Sequence, residues 1–327
     1  MENRKGKDMK LKALSHYDND LDTRFGDCIL IYDDTNLVIY DCGHEKHKDA
    51  VINFLGKHKT INSVSIVVSH NDSDHTDCVC ELLEYLYNAN ISVTIYCHLY
   101  LKHKDEIIER LDDGRRTRDS ISDALLEEFN NIADIVNKAE SLGFDVNEAL
   151  KDTSVFDLQI VGPTKDEFIN VAVQAIDNRM SDNIDGETVM NAASVQLKCT
   201  LDDDKVILLC GDASPEYLKD LDTYDIIQLP HHGQLADAEV VFDNIKNTGS
   251  KIFLISDNTG SGENSGGSEN LLKSDVSKGK RILNTKDGIV DLPESLDYNS
   301  GQNVTKSGIY IPSTQKTGGY GYDILQK

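Results

Sequence analysis

The sequence predicts an α/β fold that carries its chemistry at the ends of buried strands. Three observations lead there. Apolar runs of strand type, Ile66-Val67-Val68, Val206-Ile207-Leu208-Leu209 and Ile226-Ile227-Gln228-Leu229, each break off into acids or imidazoles. After the first run, Val79, Leu82, Leu83 and Leu86 repeat at helical spacing, which puts the polar residues between them on a strand-to-helix turn. Residues 99 to 150 are charged and helical in composition, and they divide the chain into halves that each supply such strand ends.

The elements follow in chain order. Gly26-Asp27 leads into a β-hairpin formed by Cys28 to Tyr32, the turn Asp33-Asp34-Thr35-Asn36, and Leu37 to Asp41. Residues 47 to 58 read as a helix around Val51, Ile52, Phe54 and Leu55, ahead of the strand Val64 to Val68. A short strand, Ile91 to Cys97, precedes the helical insertion at 99–150. Within the insertion, Gly114-Arg115-Arg116-Thr117-Arg118 is the most basic spot; it reads either as a phosphate grip or as a solvated loop. Phe156, Leu158 and Ile160 alternate as a strand that stops at Gly162-Pro163, and residues 164 to 190 read as a loop. Val195, Leu197 and Cys199 share one face of the next strand, and the unbroken run 206–209 suits a strand buried on both faces. Ile252 to Ile255 leads into a Gly-, Ser- and Asn-rich stretch, 256 to 268, expected to form a mobile loop beside the site. Residues 281 to 291 are expected to add a closing strand pair. One domain over 1–291 and an extension over 292–327 complete the expected organisation.

Composition narrows the class. At 327 residues with 39% apolar content the chain can bury a real core. Its formal charge of −24 repels polyanions at long range, which counts against strong nonspecific DNA binding. A nuclease is not excluded, because bound divalent ions supply positive charge where cleavage occurs. Seven cysteines at irregular spacing look like small core residues rather than a disulfide framework. The charged start and the lack of a long apolar run predict a soluble, cytoplasmic protein without a membrane span.

The densest chemistry is Ser69-His70-Asn71-Asp72-Ser73-Asp74-His75. His70, Asp72, Asp74 and His75 can all bind a metal, and imidazole with carboxylate suits zinc, manganese or iron. A polar loop that caps the next helix is the alternative. Downstream, Asp212 projects from the end of a core strand, where burial is costly without a cation or hydrogen bonds; a helix cap is its alternative role. His231 and His232 follow another strand, and two adjacent histidines rarely both serve a core. Asp41 could support the metal site from its own strand end. His44, His47, His98 and His103 remain ambiguous between capping, core and ligand roles.

Together these residues resemble the metallo-β-lactamase fold superfamily, and within it the soluble hydrolase domain attached to bacterial competence DNA-uptake proteins. The pattern Ser-His-x-Asp-x-Asp-His stands at Ser69 to His75, after Gly26-Asp27 and Asp41-Cys42-Gly43. Asn191-Ala192-Ala193-Ser194, Gly211-Asp212 and His231-His232-Gly233 follow in the family's order, so the resemblance spans roughly residues 10 to 291. It implies an αββα sandwich with a metal cleft along one edge of two mixed sheets. It also implies a hydrolase domain over 1–291 that uses one or two divalent ions, zinc or manganese. By motif position, His70 and Asp72 would serve a first metal, Asp74 and His75 a second, Asp212 would bridge them, and His231 would add a ligand. Asp74 would orient the attacking hydroxide and His232 would face the substrate as a proton donor, with exchange of the two histidines left open. Most members have His where Asp72 stands and a further His after the insertion, for which His98 and Asn191 are poor substitutes. The first metal is therefore expected to be weak, manganese rather than zinc, or absent. Gln234 and Asn264-Ser265-Gly266 also depart from the branch's Ser and His-Pro, so its substrate specificity does not carry over. The expected activity is a phosphodiesterase or nuclease. A hydrolase of a small ester, lactone or cyclic nucleotide is the second reading, and a non-catalytic interaction module the third. Expected partners are a nucleotide or nucleic-acid substrate and a protein or second copy docked through the helical insertion.

Overall fold

A computed structural model describes residues 9–16, 26–111, 117–180, 189–259 and 267–296. In chain order the first half comprises β1 (Lys10–Ala13), β2 (Ile29–Tyr32), β3 (Asn36–Tyr40), α1 (Glu45–Lys57), β4 (Ser63–Val67), α2 (Ser73–Thr76), α3 (Val79–Asn88) and β5 (Ser92–Cys97). Then come α4 (Tyr100–Leu111), α5 (Arg118–Glu128), α6 (Asn130–Ser141), β6 (Asp145–Glu148), β7 (Ser154–Val155), β8 (Leu158–Gly162) and α7 (Lys165–Met180). The rest is β9 (Gln196–Thr200), β10 (Val206–Leu209), β11 (Ile226–Gln228), α8 (Leu235–Asp243), β12 (Ile252–Ile255), α9 (Glu269–Lys273), β13 (Arg281–Asn284) and β14 (Val290–Leu292).

The strands form two seven-stranded sheets, ordered β14-β1-β2-β3-β4-β5-β6 and β13-β12-β11-β10-β9-β8-β7. Each is mixed in the same way. Strands β1 to β3 pair antiparallel and β3 to β6 parallel, while β7 to β10 pair antiparallel and β10 to β13 parallel. Alternation along β2 and β3 shows how the layers arise. Ile29, Ile31, Val38 and Tyr40 meet Leu197, Ile207 and Leu254 of the other sheet, whereas Leu30, Leu37 and Ile39 turn outward to Val51, Phe54, Leu82 and Leu86 on α1 and α3. The second sheet sends Leu208, Ile227 and Phe253 outward to Ala238, Val241 and Phe242 on α8. Helices therefore cover both outer faces, and the fold is the αββα sandwich, with α4 to α6 as the helical insertion. Among the described residues no helix is long and apolar enough to cross a membrane.

Three local expectations need correction. Residues 165–180 form a helix instead of a loop, with Phe168, Ile169, Val171, Ala172, Ala175 and Ile176 buried in the core. Its start is a capping box in which Thr164 Oγ1 accepts from Glu167 N–H, and the Glu167 carboxylate accepts from Thr164 N–H. The helical stretch after Leu99 ends near Leu142, and β6 then extends the sheet beside β5. Finally, β13 and β14 do not pair with each other: β13 joins β12 in one sheet and β14 joins β1 in the other. The basic residues Arg115 and Arg116, most of the Gly/Ser/Asn stretch with Asn264 to Gly266, and the tail from 297 lie outside the described residues.

Candidate metal centre

Every candidate side chain lies at the edge of the sandwich where the parallel strands end, the usual ligand position in α/β sheets. β3 ends in Asp41, β4 runs into Ser69-His70, β10 into Gly211-Asp212, and β11 into Pro230-His231-His232. The turn that carries Asp74 and His75 is held from behind by the hairpin. Asp27 N–H donates to the Asp74 carbonyl and Cys42 N–H to the His75 carbonyl, each at 3.0 Å. This approach is close enough to require glycine twice. A Cβ on Gly26 or Gly43 would sit 1.6 Å from the Asp74 carbonyl oxygen, and Gly26 also has φ of +67°.

Two carboxylates orient two imidazoles. Asp41 is fully buried; its Oδ1 accepts from Ser69 N–H at 2.7 Å and its Oδ2 lies 2.8 Å from His75 Nδ1. Asp27 Oδ1 lies 3.2 Å from His232 Nδ1, which is also 3.1 Å from the Ser256 carbonyl. His70 Nδ1 is 2.9 Å from Ser69 Oγ. With Nδ1 occupied in each ring, all three Nε2 atoms face one space. His75 Nε2 lies 3.6 Å from Asp212 Oδ2 and 4.0 Å from Asp74 Oδ2. His232 Nε2 lies 3.2 Å from Asp74 Oδ2 and 3.9 Å from Asp212 Oδ2, and His70 Nε2 is 3.8 Å from both Asp212 and Asp72.

Two groups of potential ligand atoms have all members within 4.8 Å of one another: His70, His75 and Asp212, and Asp27, His75 and His232. His70 Nε2, His75 Nε2 and Asp212 Oδ1 are buried and have no hydrogen-bond partner among the described residues. Such orphaned polar atoms are costly unless something satisfies them. Separations of 3.6 to 4.0 Å are too wide for hydrogen bonds. They are close to the spacing of two ligands around one ion with zinc-like bond lengths. The donor set therefore fits a divalent cation.

Electrostatics reflect the same crowding. Burial works against charge on His75, but Asp212, Asp74 and Asp41 outweigh it and hold the imidazole well above its ordinary range. His232 is raised in the same way, against burial, by Asp212 and Asp27. Burial would raise Asp212, yet His232, His75 and His70 hold it well below a usual carboxylate. His70 is lowered, by burial and then by the neighbouring charge on His75.

The structure brings together six of the seven residues singled out in the sequence for the centre: His70, Asp72, Asp74, His75, Asp212 and His232. His231, expected as a ligand, is in neither donor group, and its Nδ1 lies 2.5 Å from Asp237 Oδ2. His231 and His232 both have left-handed φ, +49° and +53°, and it is the second imidazole whose Nε2 lies within 4 Å of Asp74 and Asp212. Asp72 Oδ2 accepts from Asn191 Nδ2 at 2.9 Å, so Asn191, read from sequence as a poor substitute for a ligand, lies directly against Asp72. Asp27 was visible only as half of a Gly-Asp motif, and Gln228 carried no signal beyond strand character. Of the ambiguous histidines, His44 caps α1, His98 lies 2.8 Å from the Ala193 carbonyl through Nε2, and His103 pairs with Glu148.

No family model and no curated protein matches the sequence. Solved structures do. A metallo-β-lactamase fold protein from Bacillus subtilis, YhfI, is 14% identical, over 87% of this chain and 100% of that one, with a TM-score of 0.47. A putative metallo-β-lactamase from Thermotoga maritima is 14% identical over 63% of this chain and 80% of its own, with a TM-score of 0.35. The short form of human tRNase Z is 11% identical over 67% of this chain and 76% of its own, with a TM-score of 0.37.

Proposed function

We propose that the protein is a hydrolase that uses one or two divalent ions, zinc or manganese, to cleave a phosphodiester bond. The observation that carries this reading is the set of buried, unpartnered atoms, His70 Nε2, His75 Nε2 and Asp212 Oδ1, facing one space. Asp74, His75, Asp212 and His232 would hold one ion, and His70 and Asp72, with Asp212 shared, a second. A divalent ion in such a centre supplies positive charge to a phosphoryl oxygen and lowers the pKa of water toward about 7.

The remaining work belongs to the chain. Asp41 and Asp27 hold His75 and His232 by Nδ1, which keeps both Nε2 atoms directed into the cleft. Asp74 Oδ2, 3.2 Å from His232 Nε2, would orient the attacking water. With His232 drawn into the donor set, His231 becomes the imidazole that delivers a proton to the leaving oxygen, held through Nδ1 by Asp237. Two donor groups close enough to take neighbouring ions would suit displacement at phosphorus, where one ion would hold the attacking oxygen and the other the leaving oxygen. The charge of −24 favours a second reading in which the substrate is a small ester, lactone or cyclic nucleotide.

The test is metal analysis of protein purified without chelator, followed by turnover on single-stranded DNA, RNA, cyclic nucleotides and lactones at low salt. His232→Ala should lose metal and activity together. His231→Ala should keep its metal while turnover falls by about 100-fold, the scale of general acid catalysis. Turnover unchanged in Asp74→Ala and His232→Ala would refute the proposal, and bound metal without turnover on any substrate would favour an interaction module.

A further inference from the structure

Where β10 turns into Gly211 and Asp212, two backbone donors leave the sheet ladder, whose last β10–β11 pair is Leu208 with Ile227. One side chain takes both. Gln228, at the end of β11 and 1% exposed, accepts through Oε1 from Cys210 N–H at 2.9 Å and from Gly211 N–H at 3.2 Å. Its amide nitrogen donates in the opposite direction, to Asp27 Oδ2 at 3.3 Å. Asp27 in turn presents Oδ1 to His232 Nδ1 and anchors its own backbone on the Asp74 carbonyl. Two donors on one side and a carboxylate on the other leave a single orientation for the amide.

We infer that Gln228 is a positioning residue that locks the Asp212 turn and the His232 imidazole into one unit, across the junction of the two sheets. An amide is the group that serves both sides. A carboxylate at 228 would still satisfy Cys210 and Gly211 N–H, but it would set a second negative charge against Asp27 and remove the donor that holds it. An apolar residue would leave two buried N–H groups without an acceptor.

The inference rests on the metal reading only for its affinity readout. Gln228→Glu should weaken Mn²⁺ or Zn²⁺ binding by about 10- to 100-fold, the usual effect of disturbing a group behind a ligand. It should also shift the ¹⁵N signals of the His232 imidazole in metal-free full-length protein, as the Asp27 contact loosens. The decisive variant combines Gln228→Glu with Asp27→Asn, which exchanges amide and carboxylate and restores the overall charge. In that combination the donor moves to position 27 and the acceptor to position 228, so the link between the sheets re-forms and the His232 signals should move back toward wild type, while metal affinity stays reduced because the carboxylate behind His232 is gone. Affinity within about twofold of wild type in Gln228→Glu, or no recovery of the His232 signals in the double variant, would overturn the inference; the double-mutant comparison isolates the pairwise link. If the wild type binds neither ion, the metal reading fails, while the His232 signals across the same variants still decide the role of Gln228.

Discussion

His47 makes stability depend on pH in a direction that can be calculated. It lies on α1, 1% exposed, and neither ring nitrogen has a hydrogen-bond partner among the described residues. Burial, with His44 and His16 adding repulsion, pushes its pKa down to about 3. In the unfolded chain the same imidazole titrates near 6.5. Between those values the unfolded state binds a proton that the folded state refuses. The stabilisation is therefore complete above pH 6.5 and is lost as pH falls toward 3. At about 1.36 kcal/mol per pH unit, moving from pH 7.5 to pH 5 costs about 2 kcal/mol through this one group. The assay is urea unfolding at both pH values, with chelator present throughout, for wild type and His47→Leu. Leucine removes the titration and keeps an apolar body of similar size against the helix. The variant should lose about 2 kcal/mol less than wild type over that interval. Equal losses, within about 0.5 kcal/mol, would refute the reasoning, because they would mean that His47 is protonated in the folded protein or is not buried there.

Two further outcomes test how the centre is held. Asp41→Asn places an amide against His75 Nδ1 in a fully buried position, so metal affinity, read by competition with a chelating dye, should fall by about 10- to 100-fold. Gly26→Ala forces a Cβ onto the Asp74 carbonyl at a positive φ and should destabilise the fold by about 3 kcal/mol or more. The control is Gly56→Ala within α1, where no atom lies within 4 Å of the added Cβ and helix propensity predicts a gain of about 0.5–1 kcal/mol. Equal melting temperatures for the two alanine variants would count against the close packing of hairpin and motif turn.

What could be read from sequence, and what could not, follows from the range of the forces involved. The ends of β4, β10 and β11 were legible because an apolar run that stops at an acid or imidazole is a local event, recorded in consecutive residues. α7 was legible too, through the spacing of Thr164 and Glu167, but Gly162-Pro163 drew the reading toward a loop. The partners of β13 and β14 were not, since two short apolar runs carry no record of which sheet each will join. Adjacent His231 and His232 are chemically identical. Which of them enters the cleft depends on a left-handed turn closed by Gly233, whose φ is +79° and where a Cβ would meet Ile255 at 2.9 Å.

The same reasoning explains why the groups behind the candidate ligands were harder to see than the candidate ligands themselves. A ligand's side-chain type announces its chemistry: imidazole and carboxylate clustered at a strand end have few other uses. Gln228 and Asn191 have ordinary amides, and each acts by meeting a carboxylate far away in sequence: Asp27 for Gln228, and Asp72, 119 positions away, for Asn191. No local pattern encodes such a meeting, which exists only once two sheets are stacked and their parallel ends coincide. The pairing of Asn191 with Asp72 also makes the two halves of the centre unequal. His75 and His232 each have a carboxylate behind Nδ1, whereas His70 has only the Ser69 hydroxyl there. Carboxylate support raises the basicity of an imidazole, so in the proposed two-ion arrangement the position shared by Asp74, His75, Asp212 and His232 should fill first in a metal titration, and the one beside His70 and Asp72 second.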